Sequence, residues 1–149
     1  MVATTTSDVL GLRVKGPLVP TSLMSEVEKG LPLTALDRVA KAVAPGDAGF
    51  ATRMVARATL ARRRKALATA HDAPASRLSA EESARVARLA EVWALAREVW
   101  GSDETARAFL FRPHPMLENR RPIDIVLANE FGRPLVEGIL GRLQYGSAA

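Results

Sequence analysis

Three guanidinium groups near the C-terminal end, on Arg120, Arg121 and Arg142, are the side chains most obviously able to grip a charged partner. A planar guanidinium can hold a carboxylate or a phosphate through two parallel hydrogen bonds, which a lysine cannot do. Leu143 and Tyr145 stand beside Arg142, with Gly146 next, and would supply the apolar anchor that interface hot spots usually need. The plainer alternative is that Leu143 is core, Tyr145-Gly146 is a simple helix end, and the arginines are solvated.

A second group lies upstream. Between Ala51 and His71 there are six bases and no acids, in a chain of formal net charge +5, so the remainder is close to neutral. A polyanion would therefore meet this segment. Arg57, Thr59, Arg62, Arg63 and Arg64 suit phosphate contacts, with one or two side chains reaching base edges. The competing reading is a solvated helix face in an arginine-rich protein.

Other chemistry is poorly served. There is no cysteine, so neither a disulfide nor a thiolate metal site can form. His71 and His114 are far apart, each without a nearby ligand partner, and no metal is expected. Gly141 to Gly146 superficially echoes a phosphate loop, but Ser147 stands where the lysine should be and no strand precedes it. No serine or threonine has a base set beside it by motif. The expectation is a binding protein, with no cofactor and no catalytic residue.

The element that must position these groups is Ser79 to Trp100. Ser79-Ala80-Glu81-Glu82 is a capping box, and Val86, Leu89, Trp93, Ala96 and Trp100 then recur on one helical face. Val92, Leu95 and Val99 lie off that face, so the helix should be buried from more than one side and act as a hub. Before it, a short helix from Thr21 or Ser22 should stop at Gly30. Thr34 can cap a second, Ala35 to Val43, with Leu36, Val39, Ala40 and Val43 inward. Pro45-Gly46 breaks it, and Asp47 can cap a shorter helix holding Phe50 and Met54. Arg57 to Leu67 carries the basic cluster. That order is the rhythm of a helix-turn-helix unit.

After the hub, Gly101 is a stop, and Ser102 or Asp103 caps a helix reaching Phe111. His114 to Arg120 reads as a loop. Pro122 fits the first position of a short helix to Ala128. Asn129 can cap the last helix, with Leu135, Val136, Ile139, Leu140 and Leu143 inward and Gly146 as a left-handed stop. Pro134 should make that helix start late or bend.

With 149 residues, 48% of them apolar and few aromatic, the chain can bury a real core but is not β-rich. The expected fold is all-α. Residues 1–20 read as a flexible arm, 21–69 as a helix-turn-helix-like lobe, 70–78 as a linker, and 79–149 as the central helix with a small C-terminal lobe. No leader or membrane span is recognisable, which points to a soluble cytoplasmic protein.

The C-terminal third resembles the toxin-binding region of the MbcA/ParS/Xre antitoxin family. The resemblance rests on Asn119-Arg120-Arg121-Pro122-Ile123-Asp124, on Gly132, and on Ile139-Leu140-Gly141-Arg142-Leu143-Gln144-Tyr145-Gly146. Thr59-Leu60-Ala61-Arg62-Arg63, Arg77-Leu78-Ser79 and Glu82-Ser83-Ala84-Arg85 are similar to upstream elements of the same family. It departs from the family at Pro134 and at Pro45-Gly46-Asp47-Ala48-Gly49, where a tighter turn is common. The resemblance implies an antitoxin that covers the active site of a RES-domain toxin, an enzyme that consumes NAD or transfers ADP-ribose from it. It assigns Arg120, Arg121, Arg142, Leu143, Tyr145 and Gly146 to toxin binding. It also implies possible repression of the antitoxin's own operon through operator DNA, and a homodimer within a hetero-oligomer. The alternative is a helix-turn-helix repressor whose C-terminal lobe only dimerises.

Overall fold

The computed structural model describes residues 5–12, 21–70 and 74–146. Eight α-helices are present among them and no strand, as the composition and periodicity predict. They are α1 (Thr6–Leu10), α2 (Thr21–Lys29), α3 (Leu33–Val43), α4 (Arg57–Thr69), α5 (Ala80–Trp100), α6 (Asp103–Phe111), α7 (Pro122–Ala128) and α8 (Gly132–Gln144). Single 3-10 turns lie at Phe50–Arg53, Pro74–Ser76 and Pro115–Leu117. The chain divides into two compact units, residues 7–87 and Arg88 onward, so the seam falls inside α5. The composition-based boundary at 70–78 instead lies within the first unit; residues 71–73 of it are outside the described residues.

The first unit is organised by the start of α5. The Ser79 amide donates to Glu82 Oε1 (2.8 Å) and the Glu82 amide to Ser79 Oγ (3.1 Å), which is the expected capping box. One residue on, Ser83 is fully buried, and its hydroxyl accepts from the Leu31 amide at 2.8 Å. Leu31 in turn accepts from the Leu78 amide (2.9 Å), and Arg77 Nη1 donates to the Gly30 carbonyl (2.8 Å). Gly30 takes φ +91°, and a Cβ there would overlap the Leu78 carbonyl oxygen. Only glycine both ends α2 and lets the two segments lie this close.

Around this seam Leu33, Leu36, Val39, Val43, Phe50, Met54, Val55 and Val86 are buried. Ala40 is only half-buried, and α3 starts at Leu33 after Pro32 instead of being capped by Thr34. Asp47 caps a turn and not a helix: its Oδ1 accepts from the Gly49 amide at 2.9 Å before the 3-10 turn. The N-terminal arm also needs correction in part. Residues 6–10 form α1, Val9 and Leu10 are buried, and Arg38 Nη2 donates to the Asp8 carbonyl at 2.9 Å. The rest of that arm, 1–4 and 13–20, lies outside the described residues.

In the second unit, Leu89, Val92, Trp93 and Ala96 of α5 are buried, while Trp100, read as inward, is 40% exposed at the helix end. Ser102 Oγ caps α6 by accepting from the Thr105 amide at 3.2 Å. α7 packs against both α6 and α8. Gly132 opens α8 where its backbone touches the Ile125 carbonyl, leaving no room for a Cβ. The last helix does start late: Asn129 Oδ1 accepts from the Phe131 amide (2.9 Å), and Pro134 falls in the first turn, where a missing N–H costs nothing. Val136, Ile139 and Leu140 face inward, but Leu135 is 57% exposed. Gly146 takes φ +76°, the left-handed stop expected of it.

Replacing Ser83 with alanine strands a buried Leu31 N–H, which costs about 2 kcal/mol, whereas Ser79→Ala removes an exposed cap worth about 1 kcal/mol. Urea denaturation should therefore show the larger loss of midpoint in Ser83→Ala, with unchanged slope. The reverse order would contradict the role given to the seam.

Candidate functional site

The basic cluster on α4 is not one surface. Arg63 turns into the fold: its Nη2 lies 2.8 Å from Glu82 Oε1, both side chains are under 20% exposed, and its Nη1 donates to the Arg77 carbonyl. It therefore braces the capping box of α5. Arg64 makes a bidentate pair with Asp37 (2.8 and 3.1 Å), and that hydrogen bond holds its guanidinium even more firmly protonated than usual. Thr59 is half-buried. Arg57 and Arg62 are exposed and, among the described residues, have no carboxylate partner. Of the five side chains expected to meet phosphate, two are thus fully presented. The acids missing from residues 51–71 are supplied by Asp37 and Glu82, distant in sequence.

The C-terminal group also divides. Arg121 forks onto Asp124 (2.8 and 3.0 Å) and lies over the Phe111 ring at 5.8 Å; the hydrogen bond to Asp124 again favours its charged form. Arg120 is exposed, with no carboxylate partner among the described residues. Its backbone closes the preceding loop, pairing with His114 across a single bridge, which Glu118 and Asn119 make possible by taking positive φ. Arg142 is exposed too, its Nη1 3.5 Å from the soft acceptor Met116 Sδ. Tyr145 is 83% exposed. Leu143 is half-buried and lines a groove of about 360 Å³ with Trp100, Phe109, Arg112 and His114. Trp100 and Phe109 stand 5.9 Å apart, and Phe109 meets His114 edge-on at 6.1 Å.

Glu137 of α8 and Glu91 of α5 share one arginine. Arg133 bridges Glu91 (3.3 Å) and Glu137 (3.7 Å), and burial raises the Glu137 carboxyl, with Arg133 opposing and Glu91 adding to the rise. Among the described residues no three His, Asp or Glu side chains gather to hold a metal, and no helix is long and apolar enough to cross a membrane.

A family model described as the antitoxin Xre/MbcA/ParS C-terminal toxin-binding domain matches residues 95–146, and one described as the antitoxin Xre-like helix-turn-helix domain matches residues 22–91. The chain belongs to the Xre/MbcA/ParS antitoxin family. Comparison with curated proteins found no match. The two matched stretches of the antitoxin part within α5, close to the seam between its compact units. The exposed Arg120, Arg142 and Tyr145 all lie in its toxin-binding domain, and Arg57 and Arg62 in its helix-turn-helix domain.

Sequence reasoning missed the apolar groove and the exposed Phe131 and Leu135. Periodicity places Trp100 and Leu135 inward, and it cannot tell a core position from a partner-facing one. The signal for Trp100 was its place immediately before Gly101, as the last residue of its helix.

Because Arg63 and Arg62 differ in burial, their removal should separate cleanly. Arg63→Ala is expected to lose about 2 kcal/mol by leaving the largely buried Glu82 without its counter-ion, and Arg62→Ala to stay within about 0.5 kcal/mol of the parent in thermal melts. Equal effects would mean that the Arg63–Glu82 contact does not brace the fold.

Proposed function

We propose that this antitoxin neutralises a RES-domain toxin by seating the end of α8 and the 114–121 loop in the toxin's dinucleotide cleft. The observation that supports this most is that Tyr145, Arg142 and Arg120, all within the toxin-binding domain, stand in solvent without a carboxylate partner among the described residues. Had all three arginines been locked in ion pairs and Tyr145 buried, nothing would be left to offer.

The mechanism is exclusion. Free guanidinium groups suit carboxylates that line an NAD site, and an exposed tyrosine brings apolar area with little rotamer entropy to lose. Leu143 and Gly146 position that tip, while Arg121 contributes through the Asp124 pair that fixes the start of α7. Toxin activity is then governed by mass action, staying low while antitoxin is in excess.

A second role is favoured by Arg57 and Arg62 in the helix-turn-helix domain: contact with operator phosphates, repressing the antitoxin's own operon. A homodimer would match the two-fold logic of such repressors.

Two measurements test these roles. Arg142→Ala with Tyr145→Ala should weaken neutralisation at least tenfold in an NAD-consumption assay while leaving helicity unchanged; full protection by that variant would remove the assigned surface. For DNA, affinity for the operator should fall steeply with salt, and Arg57→Ala with Arg62→Ala should flatten the log–log slope by about 2. A slope unaltered by the double substitution would exclude these phosphate contacts.

A further inference from the structure

The outer face of α8 carries Phe131, Leu135, Gly138, Arg142 and Tyr145, all exposed. Their spacing is four, three, four and three residues, so on a helix they fall within an arc of about 80° along about 21 Å. Phe131, just before the helix, keeps helical angles (φ −73°, ψ −18°), and Tyr145, just after it, leaves them (φ −98°, ψ 13°) while its amide still bonds to the Gly141 carbonyl at 3.0 Å. Three large apolar side chains on this stripe are 76%, 57% and 83% exposed (Phe131, Leu135, Tyr145). Scattered apolar residues need no explanation; a continuous ridge does.

Gly138 is the second, independent sign. A Cβ at this position would meet nothing within 4 Å, so this chain's own packing does not require glycine. Glycine in a helix interior is unfavourable, and it is otherwise used where another backbone must come close.

We propose that this stripe is the specificity ridge of the toxin interface, an inference that rests on the toxin-binding reading of the C-terminal domain. Phe131 and Leu135 extend the contact about three turns back from Arg142, and Gly138 admits a backbone of the toxin between them. The matching surface on the toxin is an apolar trough with a carboxylate at the end facing Arg142. The place of the stripe favours this occupant over a second copy of the chain: all five residues lie in the stretch matched by the toxin-binding family model. The stripe has one formal charge, Arg142, and no acid, while Glu137 on the flank is tied to Arg133.

The test uses the full chain and the RES-domain product of the adjacent gene, with binding measured by calorimetry and self-association by sedimentation. Phe131→Ser with Leu135→Gln should weaken toxin binding at least tenfold. Gly138→Gln should do the same while the melting temperature stays equal or rises, an effect that a merely structural glycine would not give. Wild-type binding matched by all these variants would overturn the ridge and leave the toxin-binding reading intact. A wild-type dimer dispersed by the variants, with toxin affinity untouched, would also overturn it, the occupant then being a second copy. Failure of the parent chain itself to bind the toxin would remove both proposals together.

Discussion

The interaction on which the rest depends is the hydrogen bond from the Leu31 amide to the buried hydroxyl of Ser83, in the first turns of α5. A helix start leaves amides unpaired, and this one is closed by its own capping box, so the next polar side chain is free to satisfy a different segment. Arg63 then neutralises Glu82, and Arg77 takes up the Gly30 carbonyl. The end of α2, the middle of α4 and the beginning of α5 are thereby tied by polar contacts whose geometry tolerates little sliding. Apolar burial around them is larger in energy but not directional. The polar seam selects one register for it.

Arginine serves two purposes in this chain, and sequence distance conceals which. Arg38, Arg63, Arg77, Arg85 and Arg88 all donate to backbone carbonyls, the last to Val126 at 2.8 Å. Guanidinium suits this work because it is weakly hydrated and its donors fan out in a plane. Among the described residues, Arg57, Arg62, Arg112, Arg120 and Arg142 enter no ion pair and donate to no backbone carbonyl. They are the ones the fold does not use.

Local chemistry was the legible part of the sequence. The capping box at Ser79, the stops at Gly30, Gly101 and Gly146, the cap at Ser102 and Pro122 at the head of α7 each depend on a few neighbouring residues, and each is found. What failed depends on residues far away. Arg63 and Arg64 look like a phosphate-binding pair until Glu82 and Asp37 arrive from other helices. Leu135 looks like core because it adjoins Val136, yet α8 begins at Gly132 and is oriented by the contact of that glycine with Ile125, which turns Leu135 outward. The short helix expected after Asp47 shrinks to one 3-10 turn that opens at Gly49, because Asp47 closes a turn onto the Gly49 amide instead of capping a helix.

α8 shows why a recognition surface is hard to see in a sequence of this kind. Its inward face needs only Val136, Ile139 and Leu140 to be buried, with Gly132 allowing the close approach to α7. That leaves the opposite side without a structural duty, and a side free of duty would ordinarily fill with charge, since exposed apolar area favours aggregation. Here the charged residues of the helix that are engaged, Arg133 and Glu137, sit on the flank, and the outermost positions hold aromatic and aliphatic groups around a glycine. A periodic pattern written once for the core and once for a partner sums to a helix that looks apolar nearly all round. Only the direction of its first residue, set by one carbonyl contact, tells the two faces apart.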